Sequence, residues 1–216
     1  MNEQVLPQHW VLLGTAQASA DIWGLRRIPF PCGYYMPMGV YAETGVPLQR
    51  PAPGEVWAMG GLALEIGEGG KDIPLEQAGS HVAGYRPWLC LFNDNLLDDL
   101  KARQHTIMVW DQGVSIFYGL WRDACQALGP LVSADVLAKC TDEVVSLHTT
   151  AGMAIGEPAN AYEHDAATVI HFMSQFMTLS ARDVYVLGPL VAQRIPSNVD
   201  RLALSALGSS YSVAVA

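Results

Sequence analysis

Residues 54–94 read GEVWAMGGLALEIGEGGKDIPLEQAGSHVAGYRPWLCLFND, and this stretch decides how the rest of the chain is read. Residues 56–66 form an apolar run closed by a GEGG turn, the pattern of a β-strand. Residues 74–80, PLEQAGS, predict one or two helical turns, with Pro74 in the first turn, where its missing N–H is tolerated. Residues 82–94 are again mostly apolar, as in a strand buried on both faces, and end on a carboxylate. The layout is therefore strand, short helical excursion, strand.

Upstream, HWVLLG (9–14) predicts a first strand running into a loop. Residues 28–53 carry six prolines and three glycines, which remove ladder donors and fix φ. Only short strands, around residues 34–36 and 40–41, are expected there, in a Pro/Gly-rich segment (1–53) packed on a single domain spanning 1–216. Downstream, NLLDDLKAR (95–103) predicts a helix capped by Asn95, with acids ahead of Lys101 and Arg103 as the helix dipole favours. The Leu128-Gly129-Pro130 turn precedes an extended pair at 131–132 and a helical turn at 133–137.

The clearest helical period lies in DAATVIHFMSQFMTL (165–179), where Val169, Phe172, Met173, Phe176 and Met177 share one face and Asp165 is the cap. Short strands at 183–187 and 202–204 and a last one in 211–216 complete the pattern. Strands dominate and no βαβ alternation or internal repeat occurs, so the fold class is α+β.

The chain has 216 residues, half of them hydrophobic and only 15% charged, which excludes disorder and predicts extensive burial. So apolar a composition also predicts a surface covered in an oligomer. A net charge of −9, with only Arg26 and Arg27 adjacent, argues against nucleic acid and anionic membrane as partners. The first ten residues lack a basic n-region and an apolar h-region, and no apolar run reaches the roughly 20 residues of a transmembrane helix. Cys32, Cys90, Cys125 and Cys140 are widely spaced without a CxxC pair. They are expected as reduced thiols in a cytoplasmic protein rather than as zinc ligands.

Four segments, GGLALEIG (60–67), HVAGYRPWLCLFND (81–94), GLWRDACQALGPLVSADVL (119–137) and SQFMTLSARDVYVLG (174–188), together resemble the fumarylacetoacetate hydrolase family, in its order and at about its spacing. The resemblance implies a mixed β-roll, usually dimeric, with the site at one end. It also implies an E-x-E pair on the first strand of the opening stretch and an Asp on the next, holding Mg2+ or Mn2+ to polarise a 2-oxo acid. Alternate strand positions point to one face, so such acids suit an oxygen-donor site. Here the two glutamate positions carry Met59 and Gly61, and the Asp position falls on Asp94. Glu65 and Glu55 share that face, but four residues along a strand is roughly 13 Å, too far to replace them.

Other family positions have changed as well. The family's lysine falls on Leu120, with Gly119 and Asp123 kept beside it; the threonine of its closing segment falls near Pro189, after Gly188. Its first-loop histidine is absent from TAQASAD (15–21), His9 lying instead in the first strand. In these losses the chain is similar to the metal-poor half of the homoprotocatechuate-pathway decarboxylase/isomerase, an enzyme of aromatic catabolism.

Two readings follow. In the first, the chain is a pseudoenzyme, a non-catalytic or structural subunit that forms a homodimer or a heteromer with a metal-competent paralogue. No cofactor is expected, with Mg2+ or Mn2+ at most weakly held by Asp94. In the second, it is a metal-independent decarboxylase, tautomerase or C–C hydrolase acting on a 2-oxo acid or a related hydrophobic compound. Asp94 or Asp123 would then be acid/base, its pKa raised by burial, and Met36, Met38, Met59, Gly61, Trp88, Tyr118, Leu120 and Gly188 would line or border an apolar pocket. Against these stand plainer roles: Asp94 as a helix cap, Asp98 and Asp99 as a solvated helix face, and Trp57, Trp88, Trp110 and Trp121 as core or interface. His81, His148, His164 and His171 share no ligand spacing.

Overall fold

The computed structural model describes residues 7–24, 28–52, 55–93, 95–106, 108–134, 144–152 and 154–216, and among these described residues two sheets and five helices organise the chain. The central element is the antiparallel pair β3 (Val56–Ile66) and β4 (Val82–Phe92), registered from Trp57 opposite Phe92 to Glu65 opposite Gly84. Between them lie α2 (Leu75–Ala78) and a 3-10 turn, the excursion expected from PLEQAGS.

The larger sheet runs β2-β1-β9-β3-β4-β5, from β2 (Gly33–Tyr35) and β1 (His9–Leu12) through β9 (Val184–Val186) to β5 (Gln126–Leu128). Off this path, β10 (Val191–Ile195) pairs with the first half of β3, and β6 (Val132–Ser133) with the start of β4. Pro87 sits in the gap between the β6 and β5 pairings of β4, where its missing N–H breaks no ladder bond. The smaller sheet is β12-β11-β7-β8, built from β7 (Val144–Thr149), β8 (Ala154–Pro158), β11 (Arg201–Ala206) and β12 (Ser209–Ala214).

Alternation along β3 sends its residues to two apolar clusters. Ala58, Leu62 and Leu64 meet Leu147, Leu202 and Leu204 of the smaller sheet. Gly60 is needed there, because a Cβ would run into Leu204 and Val191. Met59 and Ala63 face the other way, onto Trp88, Cys90 and Phe92 of β4 and onto Ile116 and Leu120 of α4 (Val109–Leu120). This second cluster is closed by Ile22 and Trp23 of α1 (Gln17–Trp23).

The expected α+β class is the observed one, with several local differences. Tyr41 makes only an isolated bridge to Gln126, and residues Met38–Val40 are a 3-10 turn rather than a strand. The segment 28–52 is tied down by that bridge, by Leu48 against Val215, and by β2. Helix α3 spans Asn95–Ala102, as NLLDDLKAR predicts. The last helix, α5 (Ala166–Phe176), starts at Asp165, whose side chain accepts from the Thr168 amide. Its buried face is Val169, Ile170, Met173 and Ser174, one step round from the expected stripe. Phe176 is instead 69% exposed, and it packs on Phe172, itself stacked on Phe30. Of the expected helical turn at 133–137, residues 135–137 lie outside the described residues, as does Cys140; the side chain of Trp110 is likewise not described. Among the described residues no helix is long and apolar enough to cross a membrane.

Candidate functional site

The face of β3 that carries Met59 and Gly61, the positions where the sequence resemblance sets two carboxylates, is closely packed at both. Met59 is fully buried, in one cluster with Met36, Trp88, Cys90, Leu120 and Cys125. Burial pushes the Cys90 thiol well above its usual range, so the group beside Met59 is neutral. Trp88 Nε1 donates to Gln126 Oε1 at 2.8 Å, and Gln126 donates to the Leu120 carbonyl at 3.1 Å, which satisfies the polar atoms of this apolar packing. Met36, Met59, Trp88 and Leu120, read from the sequence as pocket-lining, are thus side chains of one core cluster with no exposed surface.

Gly61 lies where three segments converge. A Cβ there would sit closer than 3.0 Å to the Gly188 carbonyl oxygen, 2.7 Å from Tyr162 Oη and 3.4 Å from the Leu190 amide. Tyr162 Oη accepts from the Leu62 amide at 2.8 Å and donates to the Gly188 carbonyl at 3.2 Å. On either side, the Leu190 and Leu187 amides donate to the carbonyls of Gly60 and Leu62, each at 2.9 Å. Burial raises the Tyr162 phenol far above its ordinary pKa, so the hydroxyl stays protonated as this bridge requires. Gly188 has φ +86 and is backed by Thr15 Oγ1, a pairing of left-handed backbone and close approach that only glycine meets. Thr15 in turn donates to the Leu187 carbonyl and accepts from the Glu163 amide at 2.7 Å.

The first loop, TAQASAD, folds as the start of α1 and packs over this junction rather than standing as an open loop. Beside it is a cleft of about 370 Å³, bordered by Ala16, Gln17, Asp21, Trp57, Glu157 and Leu190. Asp21 accepts from Gln17 at 2.8 Å. Among the described residues this cleft has two carboxylates and no cationic side chain in its lining.

Asp94 lies outside the described residues. The register nevertheless identifies what faces Met59 and Gly61 across the ladder: Cys90 and Trp88. The β3–β4 ladder ends with Trp57 opposite Phe92, two residues before Asp94. Asp123 is exposed in the turn after α4. Glu65 is 9% exposed and bonded at 2.6 Å to Arg86 Nε, an internal ion pair rather than a ligand. His164 bonds the Ile28 carbonyl at 3.0 Å and His171 the Ile73 carbonyl at 2.8 Å, the plain structural roles.

A hard divalent cation wants several anionic or carbonyl oxygens at 2.0–2.6 Å or so. A thioether, a bare Cα, a neutral thiol and an indole do not supply them, so the residues present at these positions do not fit Mg2+ or Mn2+. No group of three or more His, Cys, Asp or Glu able to hold a metal occurs among the described residues. Tyr162, which occupies the Gly61 side of the site, escaped sequence reading; the only signal was an aromatic directly before the Glu163-His164-Asp165 polar run.

No family model matches the sequence, and no curated protein matches it. Solved structures do share its fold. A fumarylacetoacetate hydrolase family protein from Yersinia pestis superposes with a TM-score of 0.78 at 16% identity, covering 98% of this chain and 94% of the other. Fumarylpyruvate hydrolase from Pseudomonas aeruginosa, solved with Mn2+ and pyruvate, gives 0.75 at 22% identity, over 97% and 89%. A 2-hydroxyhepta-2,4-diene-1,7-dioate isomerase from Mycobacterium marinum gives 0.70 at 16% identity, over 98% and 75%.

Proposed function

We propose that this chain, which has the fold seen in fumarylacetoacetate hydrolase family structures, is a non-catalytic subunit of that fold, pairing with itself or with a metal-competent paralogue. The observation that carries this reading is Gly61, where the Gly188 carbonyl and the Tyr162 hydroxyl take the volume a metal-binding side chain would need. Met59 supports it, since a carboxylate in its place would be a charge in an apolar cluster, costing several kcal/mol.

An exposed apolar surface around β2 and α4 supports pairing. Tyr35, Met38, Tyr118 and Trp121 are each 40–55% exposed, with Trp10 packed edge-on against Tyr35 and Phe117 packed at a tilt against Trp121. Such a contiguous patch is uncommon on a monomer. The enzyme reading has less behind it: the cleft beside Gly61 carries Asp21 and Glu157, which repel a 2-oxo acid anion.

The test is to purify the chain alone and after co-expression with metal-competent relatives of the same fold, measuring mass in solution, bound metal, and turnover of acylpyruvates and oxaloacetate. Dimers or heteromers with no turnover by the lone chain support the proposal. Turnover by the lone chain that follows added Mg2+ or Mn2+ overturns it.

A further inference from the structure

Lysine and arginine are scarce here, 12 against 21 acids, yet two arginines line one cleft. This cleft, of about 450 Å³, opens between the β5 end of the larger sheet and the β11–β12 hairpin of the smaller, with the turn 42–46 over it. Its size falls within the range of small-molecule sites. It does not include Met59 or Gly61, and the inference stands apart from the proposed subunit role.

Arg86, from β4, is held in place: Nε donates to Glu65 at 2.6 Å and Nη1 to the Gly129 carbonyl at 3.0 Å. Gly129 is itself wedged against Tyr211 and Pro87, where a Cβ would lie 2.9 and 3.1 Å from their side chains. Nη2 of this fixed guanidinium has no hydrogen bond among the described residues, while the residue lines the cleft. Arg201 reaches the cleft from the start of β11, and its side chain has neither ion pair nor hydrogen bond among the described residues. Glu43 is the one carboxylate in the lining and Glu65 already pairs with Arg86, so the two arginines are balanced in charge, and what the cleft offers an anion is the unbonded Nη2 of Arg86 and the unpaired guanidinium of Arg201. The protein's overall field repels anions, and attraction here must come from the two guanidinium groups. Their planar forks match a carboxylate. Val46, Leu128, Pro130 and Val213 supply apolar wall.

We propose that this cleft binds a small monocarboxylate with an apolar body, the carboxylate between Arg86 and Arg201 and the body against Val46, Leu128 and Val213. Because one arginine belongs to each sheet, the bound ligand ties the sheets together and raises the unfolding temperature.

Benzoate is the probe, with benzamide as its uncharged isostere and sulfate as a bare anion, all at matched ionic strength and followed by calorimetry and thermal unfolding of the full chain. Benzoate should bind and stabilise, while benzamide and sulfate should not. Arg201→Gln, at an exposed position, should keep the native circular dichroism and weaken benzoate about tenfold or more. Arg86 is left intact, since removing it strands Glu65. Equal stabilisation by benzamide or by sulfate, undiminished binding to Arg201→Gln, or no heat with millimolar benzoate each overturns the proposal.

Discussion

Gly61→Ala should be among the most damaging single-methyl additions in this protein. The new Cβ meets a backbone carbonyl, Gly188, at under 3.0 Å, and a carbonyl cannot swing aside as a side-chain end can. Its retreat is blocked by Thr15 behind Gly188 and strains the Leu187 and Leu190 amides bonded to Leu62 and Gly60. Overpacking of this kind costs about 1–3 kcal/mol, and loss of one such bond adds about 1 kcal/mol. At roughly 2–4 °C per kcal/mol for a chain of this size, the midpoint should fall by about 5–15 °C. Thermal unfolding followed by circular dichroism measures it. Tyr162→Phe alone should also destabilise, by leaving the Leu62 amide without its acceptor. Combining the two should cost less than the sum, because the hydroxyl contact is removed once and not twice. If Gly61→Ala melts within about 1 °C of the parent, the site has room for a side chain, and the case for a filled carboxylate position fails.

Two further outcomes concern a buried histidine and an exposed helix cap. His9, packed at a tilt against Tyr41 with Nδ1 unpartnered among the described residues, has its pKa lowered from 6.5 to about 4, first by burial, with Glu65 acting against that shift and Arg86 in the same direction. The unfolded chain binds this proton more tightly, so stability should fall as pH drops from about 6.5 to about 4, by up to about 3 kcal/mol, and His9→Gln should flatten that slope in denaturant titrations. Asp183, whose pKa burial raises, acts in the opposite sense, favouring the fold towards the acid end, and remains in the variant as the residual slope. Asp165→Ala removes the cap on the Thr168 amide, 2.8 Å away, and should cost about 1 kcal/mol, read as a lower urea midpoint with unchanged slope.

Strand β3 matches the expected span residue for residue, because an unbroken apolar run between a Pro/Gly segment and a GEGG turn has few alternatives. Asp165 and its helix were equally plain. Helix α4 was not: VWDQGVSIFYGL carries Gly113, β-branched Val114 and Ile116, and aromatics, all weak helix formers. Tertiary burial of Ile116 and Leu120 overrides that preference. Strand β10 escaped for a similar reason, since VAQRI is extended only by pairing with β3 from more than 130 residues away. At the site, the residue types at 59 and 61 were legible, but their neighbours were not. Which side chain faces Met59 depends on a register that no local pattern states, and the Tyr162 hydroxyl enters from a loop a hundred residues downstream.

That hydroxyl also has a dynamic consequence. The Leu62 amide sits mid-strand in the largest sheet, yet its proton is guarded by a tyrosine outside any strand and not by a neighbouring backbone carbonyl. Solvent exchange at this one central position should therefore track local loosening around residue 162, while the amides of Ala58 and Leu64 report the opening of the ladder itself.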